Sequence, residues 1–215
     1  MSDSENDILN FGADLVPPAV IKSARVSTVD FDGLLSTPLK LREDLTNGCG
    51  GQLWPAGMVL SKYMLKKHRN DLDGKEILAV GLGCSPTTLH ITDQLPMFDL
   101  MKQNILLNNL SDTVQASVYD WGEPVPNHLP RNPDIILAAD CVYFEPAFPL
   151  LQKTLADLIG ERTVCYFCFK KRRRADLNFM KGAKKAFAVK KVDDDPDKGV
   201  YERENIFLYR ITTKA

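Results

Sequence analysis

Apolar and polar positions divide the 215-residue chain into segments of two periods. The most strongly apolar segment is Asp134 to Tyr143, DIILAADCVY. Three large aliphatics in a row, without polar alternation, predict a strand buried on both faces, as at the centre of a parallel sheet. Glu76–Val80, Leu89–Asp93, Val114–Tyr119 and Val164–Phe169 predict further strands. Between them the pattern recurs at three and four, which predicts helices. One starts at Pro55 and carries Val59, Leu60, Tyr63 and Met64. A second spans Gln94 to Leu110, with Met97, Leu100, Met101, Ile105 and Leu106 as its stripe. A third runs from about Pro146 to Ile159, and a fourth ends near Phe187. The last segment, from Ala188 to Thr212, alternates on either side of an acidic turn and predicts a terminal antiparallel hairpin. Before all of these, residues 1–47 form an N-terminal arm, broken by Pro17-Pro18, followed by a hairpin or edge strands over Arg25–Glu43. Residues 48–215 form the main domain, an α/β fold with a mostly parallel sheet.

Composition narrows the function classes. The net charge of −1 gives no global basicity that would point to nucleic acid. No apolar run approaches the length of a membrane span, and the polar, acidic MSDSENDI start resembles no signal peptide. Five cysteines without a regular framework suit a reducing compartment, so a cytoplasmic location is expected. Cys165-x-x-Cys168 lies in an apolar strand, where the two side chains point to opposite faces, so no metal site is expected there.

Candidate chemistry gathers where strands should end. In open α/β sheets the ligand crevice lies beyond the carboxyl ends of the strands. Asp140 and Tyr143 occupy that place after the central strand, although Asp140 could equally cap the helix starting near Pro146. Asp93 closes another strand, as does the acid that binds ribose hydroxyls in dinucleotide-type folds. Gly81-Leu82-Gly83 follows a strand, but no helix of any length can follow it, because Cys84-Ser85-Pro86-Thr87-Thr88 comes next. Trp54 stands just before the first helix, as a core residue or as the wall of a cofactor pocket. Lys170 to Arg174 is a run of five cations, read as a solvated face, a nuclear signal or a contact for an acidic partner. His68 sits at an exposed-looking helix end and is given no catalytic role.

Taken together, LWPAG at 53–57, ITD at 91–93, DWG at 120–122 and AADCVYFEP at 138–146 resemble the seven-β-strand S-adenosylmethionine-dependent protein-lysine methyltransferases of family 16, with Asp140-x-x-Tyr143 as their DxxY motif. GGQLWPAGMVLSKYM and FCFKKRRRAD are most similar to the fungal branch that methylates a lysine of elongation factor 1-alpha. The resemblance spans about residues 48 to 212. It implies a Rossmann-like seven-strand fold, S-adenosylmethionine as cofactor and a protein substrate, elongation factor 1-alpha, for a monomer that binds neither nucleic acid nor membrane. It also implies site roles. Asp93 would accept the ribose hydroxyls, Trp121 would lie against the adenine, and Trp54 would close the methionine side. Ala139 would let backbone approach the ligand, and Gly81 and Gly83 would belong to the glycine loop. Asp140 and Tyr143, with Phe144 nearby, would shape the lysine channel, where Asp140 would hold the incoming ammonium first.

One part of the family pattern is shortened. Only Gly81 to Thr88 separates two strands that should be parallel neighbours, and eight residues with a proline cannot hold a crossover helix. The lost helix N-terminus would have carried the ligand carboxylate. Poor binding of S-adenosylmethionine by this chain is therefore expected. An alternative is a methyltransferase-fold protein that docks on a translation factor without transferring methyl groups. A methyltransferase for a small molecule or nucleic acid and an NAD-dependent dehydrogenase fit less well, the latter for want of a complete G-x-G-x-x-G.

Overall fold

A computed structural model describes residues 24–46, 49–80 and 89–214. Its frame is a seven-stranded sheet made of β3 (Ile77–Val80), β4 (Leu89–Asp93), β5 (Val114–Val118), β6 (Ile135–Ala139), β7 (Val164–Lys170), β8 (Ala188–Lys191) and β9 (Ile206–Thr212). The spatial order is β5-β4-β3-β6-β7-β9-β8. β3, β4, β5, β6 and β7 pair in parallel, and β9 is antiparallel to both its neighbours. The expected doubly wound sheet with a terminal hairpin is thus present. The connection within that hairpin is longer than a turn and carries a short helix, α5 (Lys198–Arg203).

The apolar run at 135–139 forms β6 at the centre, with all five residues buried. Its side chains alternate between two cores. Ile135, Leu137 and Ala139 pack with α1 (Pro55–Lys67), whereas Ile136 and Ala138 pack with α3 (Phe148–Leu158) and α4 (Ala175–Ala186). β7 alternates likewise, which places Cys165 in one core and Cys168 in the other, both buried. Burial raises both thiol pKa values, and among the described residues no cluster of His, Cys, Asp and Glu could hold a metal ion.

β1 (Arg25–Val29) and β2 (Leu39–Glu43) make a separate antiparallel hairpin. It docks on α2 (Leu95–Leu107) through two asparagines. Asn108 Oδ1 accepts from the Lys40 amide at 2.8 Å while its Nδ2 donates to the Lys40 carbonyl at 2.7 Å. Asn104 does the same with Arg42, at 2.7 and 3.0 Å. Four residues on a helix rise about 6 Å and two on a strand rise about 6.7 Å, so an i, i+4 pair matches the i, i+2 edge of a strand.

β3 and β4 are adjacent and parallel, with Ile77 opposite Leu89 and Val80 opposite Thr92. Leu89 therefore lies three residues, roughly 10 Å, back along the sheet from Val80. The expectation that no crossover helix follows β3 falls on residues 81–88, which, with Gly81 and Gly83, lie outside the described residues. A cavity of about 450 Å³ is bordered by Leu65 of α1, Leu89 and Ile91 of β4, Met97, Leu100, Met101 and Ile105 of α2 and Leu39 and Leu41 of the hairpin; Leu106, expected in the same apolar stripe, is instead exposed, because it turns away from the sheet.

Candidate functional site

The strand order reverses at β3 and β6, and the crevice beyond their carboxyl ends is the topological switch point of the sheet. Asp140 immediately follows β6 there. Its φ is 51°, in the left-handed region that a short polar side chain tolerates better than most. Its carboxylate is only 5% exposed and gathers three elements. Oδ2 accepts from the Ala56 amide at the start of α1 at 3.3 Å; Oδ1 accepts from the Lys170 amide at the end of β7 at 3.1 Å and from Arg172 Nη1 at 2.9 Å. Asp140 does cap a helix, but the helix is α1, which lies 84 residues earlier in the sequence. A negative charge at that N-terminus also complements the helix dipole.

The helix itself starts where the sequence places it: Pro55 supplies the first-turn φ, and Trp54 is the residue before it. Trp54 is half-buried, and the Arg172 guanidinium lies over its ring, 5.4 Å from the centroid. Tyr143 and Phe144, on the loop after Asp140, are 48% and 56% exposed. Arg173 Nη2 donates to the Tyr143 carbonyl. Asp176 in the first turn of α4, fully buried, accepts from the Arg172 and Arg173 amides at 2.8 and 2.9 Å. Two of the five basic residues are therefore built into the site, a role the charge run by itself did not disclose.

Asp93 ends β4 with its carboxylate partly buried and receives the Gln94 amide at 2.7 Å. Burial, and to a lesser degree the Asp120 charge, holds its pKa above the ordinary value. Gly50 lies beside it. A Cβ there would come 3.4 Å from Asp93 Oδ2 and 3.1 Å from Met97 Sδ. Gly51 is tighter still, since a Cβ would overlap the Asp44 carbonyl that follows β2. Gly50 is thus a close contact next to the acid, and Gly51 one next to the end of β2. Ala139 is 7% exposed, the last residue of β6. Trp121 packs against the core shared by β6, β7, α3 and α4, and Gly122 after it adopts φ 86° and donates to Thr154 Oγ1 of α3 at 2.9 Å. The structure thus brings Asp140 and Trp54 together around Arg172, while the Tyr143 backbone is held by the neighbouring Arg173. Asp93 and Asp140 both act on the buried Cys141 thiol, whose pKa burial pushes well up. His68 closes α1 in a ring cluster with Tyr63 and Tyr166, its Nε2 3.0 Å from the Tyr166 hydroxyl.

Asp93 is thus a partly buried carboxylate with one amide donor and with Gly50 against it. The family profile for lysine methyltransferases matches residues 34–186. The chain belongs to that family. It is 32% identical to the protein-lysine N-methyltransferase EFM6 of Saccharomyces cerevisiae, covering 94% of this chain and 96% of that relative. It is 29% identical to the EEF1A lysine methyltransferase 3 of Mus musculus, over 58% of this chain and 57% of that one. The solved PH0226 protein of Pyrococcus horikoshii shares the fold at a TM-score of 0.50 and 12% identity, over 72% and 88% of the two chains. The alignment with the yeast protein runs over 237 positions, whereas 94% of 215 residues is about 202. About 35 positions of that relative therefore lie opposite gaps in this chain. The chain is a methyltransferase of the protein-lysine class, and S-adenosylmethionine is the methyl donor of that class.

Proposed function

We propose that this protein methylates a lysine ε-amine of elongation factor 1-alpha. The observation that carries the reading is the Asp140 cluster at the switch point: a buried carboxylate, the Trp54 face and the exposed Tyr143 and Phe144 rings. Such a set suits an alkylammonium side chain presented by another protein. The mouse relative, an EEF1A lysine methyltransferase, supports the substrate. S-adenosylmethionine, when bound, supplies an electrophilic methyl group on a sulfonium. The residues of this chain bind the lysine, align its nitrogen and exclude water from the approach, which can account for much of the acceleration. A free lysine has a pKa of about 10.4, so the mouth must also favour the neutral amine. Burial of the amine among Trp54, Ala139 and the aromatic loop works in that direction. The amine nitrogen would bond the methyl as the methyl's bond to sulfur breaks, leaving a neutral thioether, and the surplus proton of the methylated ammonium would leave to solvent.

Lys171 and Arg174 extend the basic edge beside this mouth and suit acidic groups on the substrate protein. Its binding is then expected to weaken as salt rises, with a screening length of about 8 Å at physiological ionic strength. Incubation with labelled S-adenosylmethionine and purified elongation factor 1-alpha, beside a whole lysate, tests the reading. Label on a lysine of that factor is expected. Label on a different protein alone would replace the substrate, and label on a small molecule would replace the class.

A further inference from the structure

The place that suits the acceptor cation is held by a cation of the protein itself. Arg172 Nη1 is 2.9 Å from Asp140 Oδ1, and the guanidinium lies over the Trp54 ring. A carboxylate on one side and an indole face on the other are the two contacts that recognise an organic cation. We propose that Arg172 is a specificity-determining residue whose guanidinium occupies the seat of the acceptor lysine's ammonium, so that a lysine enters only by displacing it. This inference rests on the reading of Asp140 and Trp54 as the acceptor site.

The two partners differ in a way that suits displacement. The Arg172 side chain is 31% exposed, against 5% for Asp140, so the guanidinium is the outer member of the pair. The Arg172 backbone stays anchored, because its amide donates to buried Asp176. Rotation of the side chain alone therefore opens the seat. Asp140 keeps the Ala56 and Lys170 amides when Arg172 leaves, so the carboxylate is not stranded. The displaced group loses an ion pair, a ring contact and a bond from Nη1 to the Lys170 carbonyl at 3.3 Å. A free amine brings only the same contacts with Asp140 and Trp54, so it gains little beyond what Arg172 gives up. A lysine on a docked protein brings the rest of its interface, and the resident arginine thereby discriminates protein lysines from small amines.

The test uses the full chain. Its two tryptophans are Trp54 and Trp121, so Trp121→Phe leaves Trp54 as the sole tryptophan reporter. Emission is titrated with n-butylammonium at constant ionic strength in that background, with Arg172 intact and with Arg172→Gln. Half-saturation about fivefold lower in the glutamine variant is expected, the scale of a partly exposed ion pair. Arg172→Lys, which restores a resident cation, is expected to move half of the way back or more, and Asp140→Asn in the glutamine background to abolish the response. Arg172→Met serves as a second neutral variant, and thermal midpoints verify folding. Unchanged or weaker binding in both neutral variants overturns the proposal, as does the absence of any response in all proteins. Methyl transfer to a protein lysine by the unsubstituted chain is read separately from label, so the lysine-methyltransferase reading survives or fails independently.

Discussion

Asp93 illustrates how a single residue carries a functional cost. Burial raises its pKa, so the folded state binds more protons than the unfolded one between pH 3.8 and the raised value. Stability therefore falls as pH rises through that window, and the charged side chain is a burden at neutral pH. Asp93→Asn is expected to raise the denaturant midpoint at pH 7 while lowering cofactor affinity about tenfold or more, given about 1.5–3 kcal/mol for each hydrogen bond to a charged group. A lower midpoint in urea would show that the acid is structural. His90 titrates in the opposite sense. It is buried, its Nδ1 has no hydrogen-bond partner, and burial lowers its pKa from 6.5. The unfolded state then takes up the proton first, and stability is lost as pH falls below about 6.5. His90→Leu should flatten urea midpoints over that range, and an unchanged slope would assign the acid sensitivity elsewhere. At Asp140 the choice of substitution matters. Asp140→Ala removes the acceptor for two backbone amides and an arginine, so lost activity in that variant would mix catalysis with stability; Asp140→Asn keeps a hydrogen-bonding side chain.

At the level of elements, the contact between the N-terminal hairpin and α2 depends on Asn104 and Asn108. Each side chain makes two hydrogen bonds to one strand residue and behaves as a strand edge would. Asn104→Ala with Asn108→Ala is expected to destabilise the hairpin by about 1 kcal/mol per side chain. Hydrogen exchange should then show faster exchange at Lys40 and Arg42 with α2 protection retained. Loss of protection throughout α2 would mean that the hairpin is integral to the helix layer. The β8–β9 connection plays a comparable part on α1, where Lys66 pairs with Asp197 and Tyr63 donates to Asp194. These tie the acidic turn to the back of the helix whose front end Asp140 caps.

For the whole molecule, the decisive dimension is the eight-residue interval between β3 and β4. Eight residues with a proline are too few for the crossover helix whose N-terminus the resemblance would place against a ligand carboxylate. S-adenosylmethionine is expected to bind this protein more weakly than micromolar, by isothermal titration. Micromolar binding would show that the short connection with Gly81 and Gly83 suffices. Asp93 lines the cavity of about 450 Å³, and its volume falls within the range of small-ligand sites.

Periodicity alone determined most of the architecture. The apolar runs at 135–139 and 164–169 predict strands, and both are interior strands of the sheet; the three-and-four spacing from Pro55 and from Gln94 predicts helices, and both form, because a side chain's face is set by local geometry. The residues at strand ends were legible for the same reason: Asp93 and Asp140 follow from where the strands stop. The partners of those residues were not legible. The Ala56 amide lies 84 residues from Asp140 and Arg172 lies 32 away. Gly50 reaches Asp93 only after the chain has folded back on α2. Which cation pairs with which acid depends on the order of strands in the sheet, and a long-range juxtaposition leaves no periodic trace in the sequence. The basic run read as one surface feature for that reason, and the fold divided it into residues that face solvent and residues that complete the site.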